Sequence, residues 1–217
     1  MHPFKAVIFD YGKVLSLPPA EEEWKKLSAR FGTSLQEFQA IYWRYREAID
    51  LATLSNADYW KAVGRDCGVS VSDAEAGQLI DDDNARWTHE SKLMLALARD
   101  LRAAGYRTAI LSNMEPNMLA FMRKKFAWLN NFDAQVYSCE TGVAKPDEAA
   151  YRICCERLGC NPSEALFLDD KRVNVEAARR FGMQSYVFHS APDPVMLTGD
   201  AEITVEELRK LLLDGHR

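Results

Sequence analysis

Short, nearly continuous apolar runs alternate along the chain with stretches in which apolar positions recur every three or four residues. The runs "KAVIFD" (5–10), "RTAILSN" (107–113), "AQVYS" (134–138), "EALFLD" (164–169) and "QSYVF" (184–188) have the length and hydrophobicity of buried strands. Between them "PNMLAFMRKKFAWL", "PDEAAYRICCERLG" and "VEAARRFG" carry helical spacing, and Gly182 stops the last of these. Pro146 is expected at the first helical position of its segment, with Asp147 and Glu148 in the first turn. The alternation predicts an α/β fold, a parallel sheet covered by helices on both faces.

One region departs from this rhythm. From about Pro18 to Arg86 the pattern is helical throughout, in "AEEEWKKLSARFG", "SLQEFQAIYWRYREAID", "NADYWKAVGRDCG" and "SDAEAGQLIDDD". In the second of these Leu35, Phe38, Ile41, Tyr42, Tyr45 and Ile49 form one apolar face, read as a single helix. Ser55 and Ser72 are expected N-caps. A helical block inserted after the first strand predicts a second domain of residues 16–88. The core would comprise 1–15 and 89–217, joined to the insert through hinges at "LSLPPA" and "DDDNARWTHE". The three acids at 81–83 are expected to be a solvated part of the second hinge.

Composition narrows the function classes. The chain has 217 residues, 47% of them hydrophobic, and a formal net charge of -5 with acids and bases interspersed, which argues against a general nucleic-acid binder. No apolar run reaches membrane-spanning length, so no membrane partner is expected. The N-terminal "MHPFKAVIFD" has no signal pattern, and a cytoplasmic location is expected. The five cysteines, Cys67, Cys139, Cys154, Cys155 and Cys160, form no C-x-x-C pair and are read as buried or half-buried reduced thiols. His2, His89, His189 and His216 show no ligand spacing and are assigned no role. Oligomeric state is not legible.

Three of the apolar strands end in residues of reactive type: Asp10, Ser112-Asn113 and Asp169-Asp170. In open α/β sheets ligands bind beyond the carboxyl ends of the strands. Strand ends often carry capping residues, so each alone is a weak signal, whereas three at equivalent ends of one sheet form a pattern. Lys145, before Pro146, adds a cation. Asp10 is a candidate nucleophile, because carboxylates form acyl-phosphate intermediates. With Asp169 and Asp170 it makes an all-oxygen set suited to Mg2+. Ser112, Asn113 and Lys145 are candidates for holding phosphoryl oxygens.

In order, "FDYGKVL", "ILSNM", "AKPDEAAY" and "LFLDDKRVNVEAARRFGM" resemble the four motifs of the haloacid dehalogenase-like hydrolase superfamily, over Phe9 to Met183. The resemblance implies a Rossmann-like core with a helical cap. It also implies Asp10 as nucleophile, Ser112 on the phosphoryl group, and Lys145 stabilising nucleophile and substrate. Mg2+ would be held by Asp10, Asp169, Asp170 and the backbone carbonyl of Gly12, with Asn174 supporting the acid pair. The substrate would be a small phosphorylated metabolite. A subset resembling sugar-phosphate phosphatases shares the F-D-x-G-x-V form of the first motif.

Gly12 is the departure. The family's phosphatases usually carry aspartate there as general acid-base. Without it, the leaving oxygen must depart as an anion or take its proton from water or a cap residue, and a steep dependence on leaving-group pKa is expected. Acyl and glycosyl 1-phosphates should then be favoured over alkyl esters. Lys13 stands where glycine or asparagine is common, with solvent exposure as its simplest reading. The aromatic-basic group Tyr42, Trp43, Arg44, Tyr45 and Arg46 either faces substrate or packs within the insert, the second being favoured. Two other functions stay open: a metal-independent 2-haloacid dehalogenase, whose halide needs no proton on leaving, and a non-catalytic module binding a phosphorylated ligand or a protein.

Overall fold

A computed structural model of the chain describes residues 4–188 and 203–214. His2, His189 and His216 lie outside the described residues. The order is β1 (Ala6–Phe9), α1 (Glu21–Arg30), α2 (Leu35–Arg44), α3 (Arg46–Asp50), α4 (Asn56–Asp66), α5 (Asp73–Arg86) and α6 (Lys92–Ala103). There follow β2 (Arg107–Ser112), α7 (Pro116–Lys125), β3 (Ala134–Tyr137), the single turn α8 (Ser138–Thr141), α9 (Glu148–Leu158) and β4 (Ala165–Asp169). α10 (Arg172–Phe181), β5 (Gln184–Val187) and α11 (Val205–Leu212) complete it.

The five strands form one parallel sheet of order β3-β2-β1-β4-β5. The expected α/β architecture is therefore present. Side chains alternate across it with the period of two that a strand imposes. Val7, Phe9, Ile110, Leu166 and Leu168 pack towards α6, α7 and α11, burying Leu97, Met118 and Leu208 among others. Ala6, Ile8, Ala109, Leu111 and Phe167 pack towards α9 and α10, against Tyr151, Cys154 and Ala178. β1 sits in the middle because connections run outwards from it in both directions. The strand order reverses between β1 and β4, and a crevice opens beyond their carboxyl ends.

Helices α1–α5 surround a separate apolar cluster built on Trp24, Phe38, Tyr42, Tyr59, Trp60 and Leu79. Ser55 and Ser72 cap α4 and α5 as expected, their hydroxyls accepting from the N–H groups of Asp58 and Glu75. The two crossings to the sheet run side by side. Leu17 N–H donates to the His89 carbonyl at 2.6 Å, and Ser91 N–H to that of Leu15 at 2.9 Å.

Three local readings are corrected. Residues 35–50 form two helices, because Tyr45 leaves helical geometry at φ -108° and ψ 6°, with its hydroxyl on Asp66 at 2.8 Å. α9 begins at Glu148, with Asp147 as its N-cap accepting from Ala149 N–H at 2.8 Å, so Pro146 precedes the helix. Residues 81–83 lie within α5 and not in a hinge, and of the three only Asp81 and Asp82 are solvated. Asp83 is buried, where it accepts from the Tyr42 hydroxyl at 3.0 Å and pairs with Arg86. These donors take the place of water around the buried carboxyl group.

All five cysteines are free, with Cys154 and Cys155 buried and the others half-buried. Among the described residues no helix is long and apolar enough to cross a membrane.

Candidate active site

Register brings the polar strand ends together. Phe9 is aligned with Ile110 on one side and Leu168 on the other, so Asp10 projects between the ends of β2 and β4. Asp10 N–H continues the ladder to the Leu168 carbonyl at 2.8 Å, and its side chain accepts from Tyr11 N–H at 2.7 Å. These two bonds fix the carboxylate at the mouth of the crevice. Asp10, Asp169 and Asp170 each offer an oxygen within 4.8 Å of the others.

Lys145 bridges two of them, Asp10 and Asp169. Its side chain is 1% exposed, and Nζ sits 2.9 Å from Asp10 Oδ1 and 2.6 Å from Asp169 Oδ2. Burial disfavours the ammonium, but the Asp10 and Asp169 carboxylates more than offset it, and Lys145 is held above the ordinary lysine range. Asn113 positions this lysine. Its side-chain Nδ2 donates to the Lys145 carbonyl at 2.7 Å, and its Oδ1 accepts from the Lys145 N–H at 2.8 Å. The Asn113 carboxamide is thus engaged with the chain. Ser112, buried at the end of β2, lines the same cavity.

The adjacent acids differ in surroundings. Asp169 is fully buried and accepts from Lys145 Nζ, from Lys171 N–H at 2.8 Å and from Asn174 Nδ2 at 2.9 Å, so both its oxygens are occupied. Asn174 supports the acid pair from α10, one turn on. Asp170 lines the cavity instead, with the half-exposed Lys13 ammonium 3.3 Å away. Burial raises the pKa of Asp170 and Asp10 adds to this, against Lys13 and Lys171. Asp169 is raised too, chiefly by burial, with Lys145 opposing. Three carboxylates this close repel one another, a further cation would relieve that repulsion, and the donors are hard oxygens. The residues present therefore suit Mg2+.

Gly12 has φ -65° and ψ 125°, which any residue can adopt. A Cβ there would meet only Trp87 Cζ3, at 3.9 Å. Lys13 is the residue in the left-handed region, at φ 59°. The absence of an acid at Gly12 is therefore not a demand of backbone or space.

The cavity holds about 640 Å³ and is closed on the far side by the helical segment. The aromatic-basic group divides across it. Trp43 and Arg46 line the cavity, Tyr42 is buried in the helical cluster, and Arg44 and Tyr45 turn outward to Asp66. His89 lies outside the cavity lining, with its Nε2 3.1 Å from Glu23 Oε1.

Several residues here carry no motif. Asp50 lines the cavity from the end of α3, with Arg46 Nη2 donating to its Oδ1 at 3.1 Å. Ser138 Oγ donates to the Asp50 carbonyl at 2.6 Å and accepts from Met114 N–H at 2.9 Å, tying the helical segment to the sheet. Glu115 caps α7 through Asn117 N–H and Met118 N–H, both at 2.6 Å. Only the capping reading of Glu115, just before Pro116, was available from local sequence.

Residues 4–182 match the haloacid dehalogenase-like hydrolases. The chain is 27% identical over 195 residues to (S)-2-haloacid dehalogenase 1 of a Pseudomonas species, covering 85% of this chain and 84% of that one. It is 26% identical over 191 residues to phosphatase MT3486 of Mycobacterium tuberculosis, with 84% and 86% covered. Other relatives are longer proteins: the chain spans 38% of pig bifunctional epoxide hydrolase 2 and 9% of mouse acyl-CoA dehydrogenase family member 10. In fold it resembles the HAD family enzyme bt-2542 of Bacteroides thetaiotaomicron, crystallised as a magnesium complex. The TM-score is 0.71 at 22% identity, over 88% of this chain and 96% of that one. The four motifs, the parallel sheet that gathers them and the match over residues 4–182 place this chain in the haloacid dehalogenase-like hydrolase family.

Proposed function

We propose that this hydrolase is a magnesium-dependent phosphatase of a small phosphorylated metabolite, working through an aspartyl-phosphate on Asp10. The observation that carries this reading is a cluster of three carboxylates, two of them paired with one buried lysine, with Asp170 left facing the cavity. Residues 16–88 would act as the cap, over a core of 1–15 and 89–217. Phosphatase MT3486, a relative of matching length, supports the same reading.

Asp10, Asp170 and the Gly12 carbonyl would hold Mg2+, with Asp169 behind them. The ion, when bound, supplies charge that screens a phosphate dianion from the carboxylates. Lys145 draws the Asp10 carboxylate into position for attack on phosphorus and neutralises part of the cluster's charge. Ser112 and the backbone N–H of Asn113 would hold phosphoryl oxygens, the Asn113 carboxamide being engaged with Lys145. Trp43, Trp87 and Met118 would supply the apolar part of the cavity wall around the substrate.

A 2-haloacid dehalogenase is the second reading, favoured by Gly12 and by the relative of that name. Its substrate carboxylate would need a cation, and Arg46 in the cavity wall is already paired with Asp50 and Asp83.

Phosphate release across a metabolite panel, with halide release from 2-chloropropionate in parallel, separates the two. Asp10→Asn should abolish turnover while leaving the fold intact, and EDTA should suppress activity reversibly. Full activity in the chelated enzyme would sink the metal assignment, and halide release without phosphate release would sink the phosphatase.

A further inference from the structure

A phosphatase with glycine at position 12 still has to protonate its leaving oxygen, and the acids around the cavity identify the group best placed to do it. Beyond the Asp10–Asp169–Asp170 cluster, the cavity is lined by Glu47, Asp50, Asp83 and Glu115. Asp83 is occupied at both oxygens, by the Tyr42 hydroxyl and by Arg46 and Arg86. Glu115 is occupied at both oxygens by the first N–H groups of α7. Glu47 is solvent-exposed. Asp50 differs from all three. It is largely buried, its Oδ1 accepts from Arg46, and among the described residues no hydrogen-bond donor reaches its Oδ2.

Asp50 is also held firmly in place. Its carbonyl accepts from Ser138 Oγ at 2.6 Å, so the end of α3 is fastened to the turn after β3. Ser138 is in turn fixed by Met114 N–H, two residues beyond Ser112. The segment carrying Asp50 is thereby tied to the strand ends that carry the phosphoryl site.

We infer that Asp50 is the general acid-base of the reaction, serving from the helical segment in place of the aspartate that Gly12 lacks. This rests on the phosphatase reading above. As an Asp10 oxygen bonds to phosphorus, the bond from phosphorus to the ester oxygen breaks. The electron pair left on that oxygen takes the Asp50 proton, and the alcohol leaves neutral. Asp50, now a carboxylate, accepts a proton from the water whose oxygen attacks phosphorus. The bond to Asp10 then breaks, and both carboxyl groups return to their starting states.

The electrostatic surroundings agree with this assignment. Burial raises the Asp50 pKa, and the Asp10 carboxylate at the end of β1 adds to this. Arg46 on its own helix and Lys171 at the start of α10 oppose it, and the net direction is upward. Across the same cavity lie Lys13 and Asp170 from the core, with Glu47, Asp83 and Glu115 also in its lining. Protonated Asp50 therefore persists above the ordinary carboxylate range, as a proton donor requires.

The test is single-turnover phosphorylation of the Mg2+-loaded enzyme over a series of aryl and alkyl phosphates. Asp50→Asn should slow alkyl esters by about 10²–10³-fold and p-nitrophenyl phosphate by less than about threefold, steepening the dependence on leaving-group pKa. Asp50→Glu should recover part of the loss on alkyl esters alone. The unmodified enzyme provides a second measurement that does not depend on a variant folding. Its phosphorylation rate should fall with rising pH for alkyl esters, and not for p-nitrophenyl phosphate. A loss uniform across the series, or a pH profile indifferent to the leaving group, overturns the role of Asp50. Failure of the unmodified enzyme to release phosphate even from p-nitrophenyl phosphate would instead overturn the phosphatase reading, and the inference with it.

Discussion

Asn113 grips the backbone of Lys145 with both ends of its carboxamide, donating to its carbonyl at 2.7 Å and accepting from its N–H at 2.8 Å. The residue after β2 thus determines where the lysine enters the acid cluster. Asn113→Ala would leave a half-buried carbonyl and N–H without their partners. It should cost about 1–3 kcal/mol of stability. Turnover should fall by about tenfold or more, because Lys145 would no longer be aimed at Asp10. Chemical denaturation and kcat on the best substrate of the panel check the two halves separately. Unchanged kcat with reduced stability would confine Asn113 to a structural role.

Gly12→Asp tests whether the missing acid can be restored. The backbone there is ordinary and the nearest group to an added Cβ is Trp87, at 3.9 Å, so the variant should fold with a melting temperature close to that of the parent. In an Asp50→Asn background it should recover alkyl-ester turnover and flatten the leaving-group dependence. If folding is normal and the slope stays steep, the new carboxylate does not reach the leaving oxygen.

Glu115 gives a stability prediction with a defined sign. Burial raises its pKa, against Asn56, Arg46 and the two capping N–H groups, and the net direction is upward. A carboxyl whose folded-state pKa is raised contributes stability that is fully present below the unfolded value and lost as pH rises through the folded one. Relative to Glu115→Gln, which does not titrate, the native protein should be most favoured near pH 4, with the difference shrinking towards pH 7. Melting curves of both proteins across that range measure it. A difference that grows with pH would show that the carboxylate, not the acid, is the form preferred in the fold.

What the sequence disclosed and what it concealed follow from contact distance along the chain. Asp10, Ser112, Asp169 and Asp170 were legible because each ends an apolar run, and parallel pairing of β1 with β2 and β4 gathers those ends. Lys145 needed its motif, since a lysine before a proline is usually a surface feature. Asp50 and Ser138 were not legible. Their bond joins residues 88 apart, and its existence depends on how the helical segment docks on the sheet. The misreading of Asp83 has the same origin, because three consecutive acids look solvated until Tyr42, 41 residues earlier, is brought against the third. The break at Tyr45 was hidden because the apolar spacing continues through it while the backbone does not.

The open space above Gly12 has a genetic consequence. A glycine codon ending in a pyrimidine lies a single base from an aspartate codon, and neither the backbone nor Trp87 opposes the exchange. A lineage of this enzyme that had lost Asp50 and depended on unactivated alkyl phosphates would have the family's usual acid within one mutational step. Random mutagenesis under that selection, applied to a gene with such a codon, should return position 12 among its first solutions.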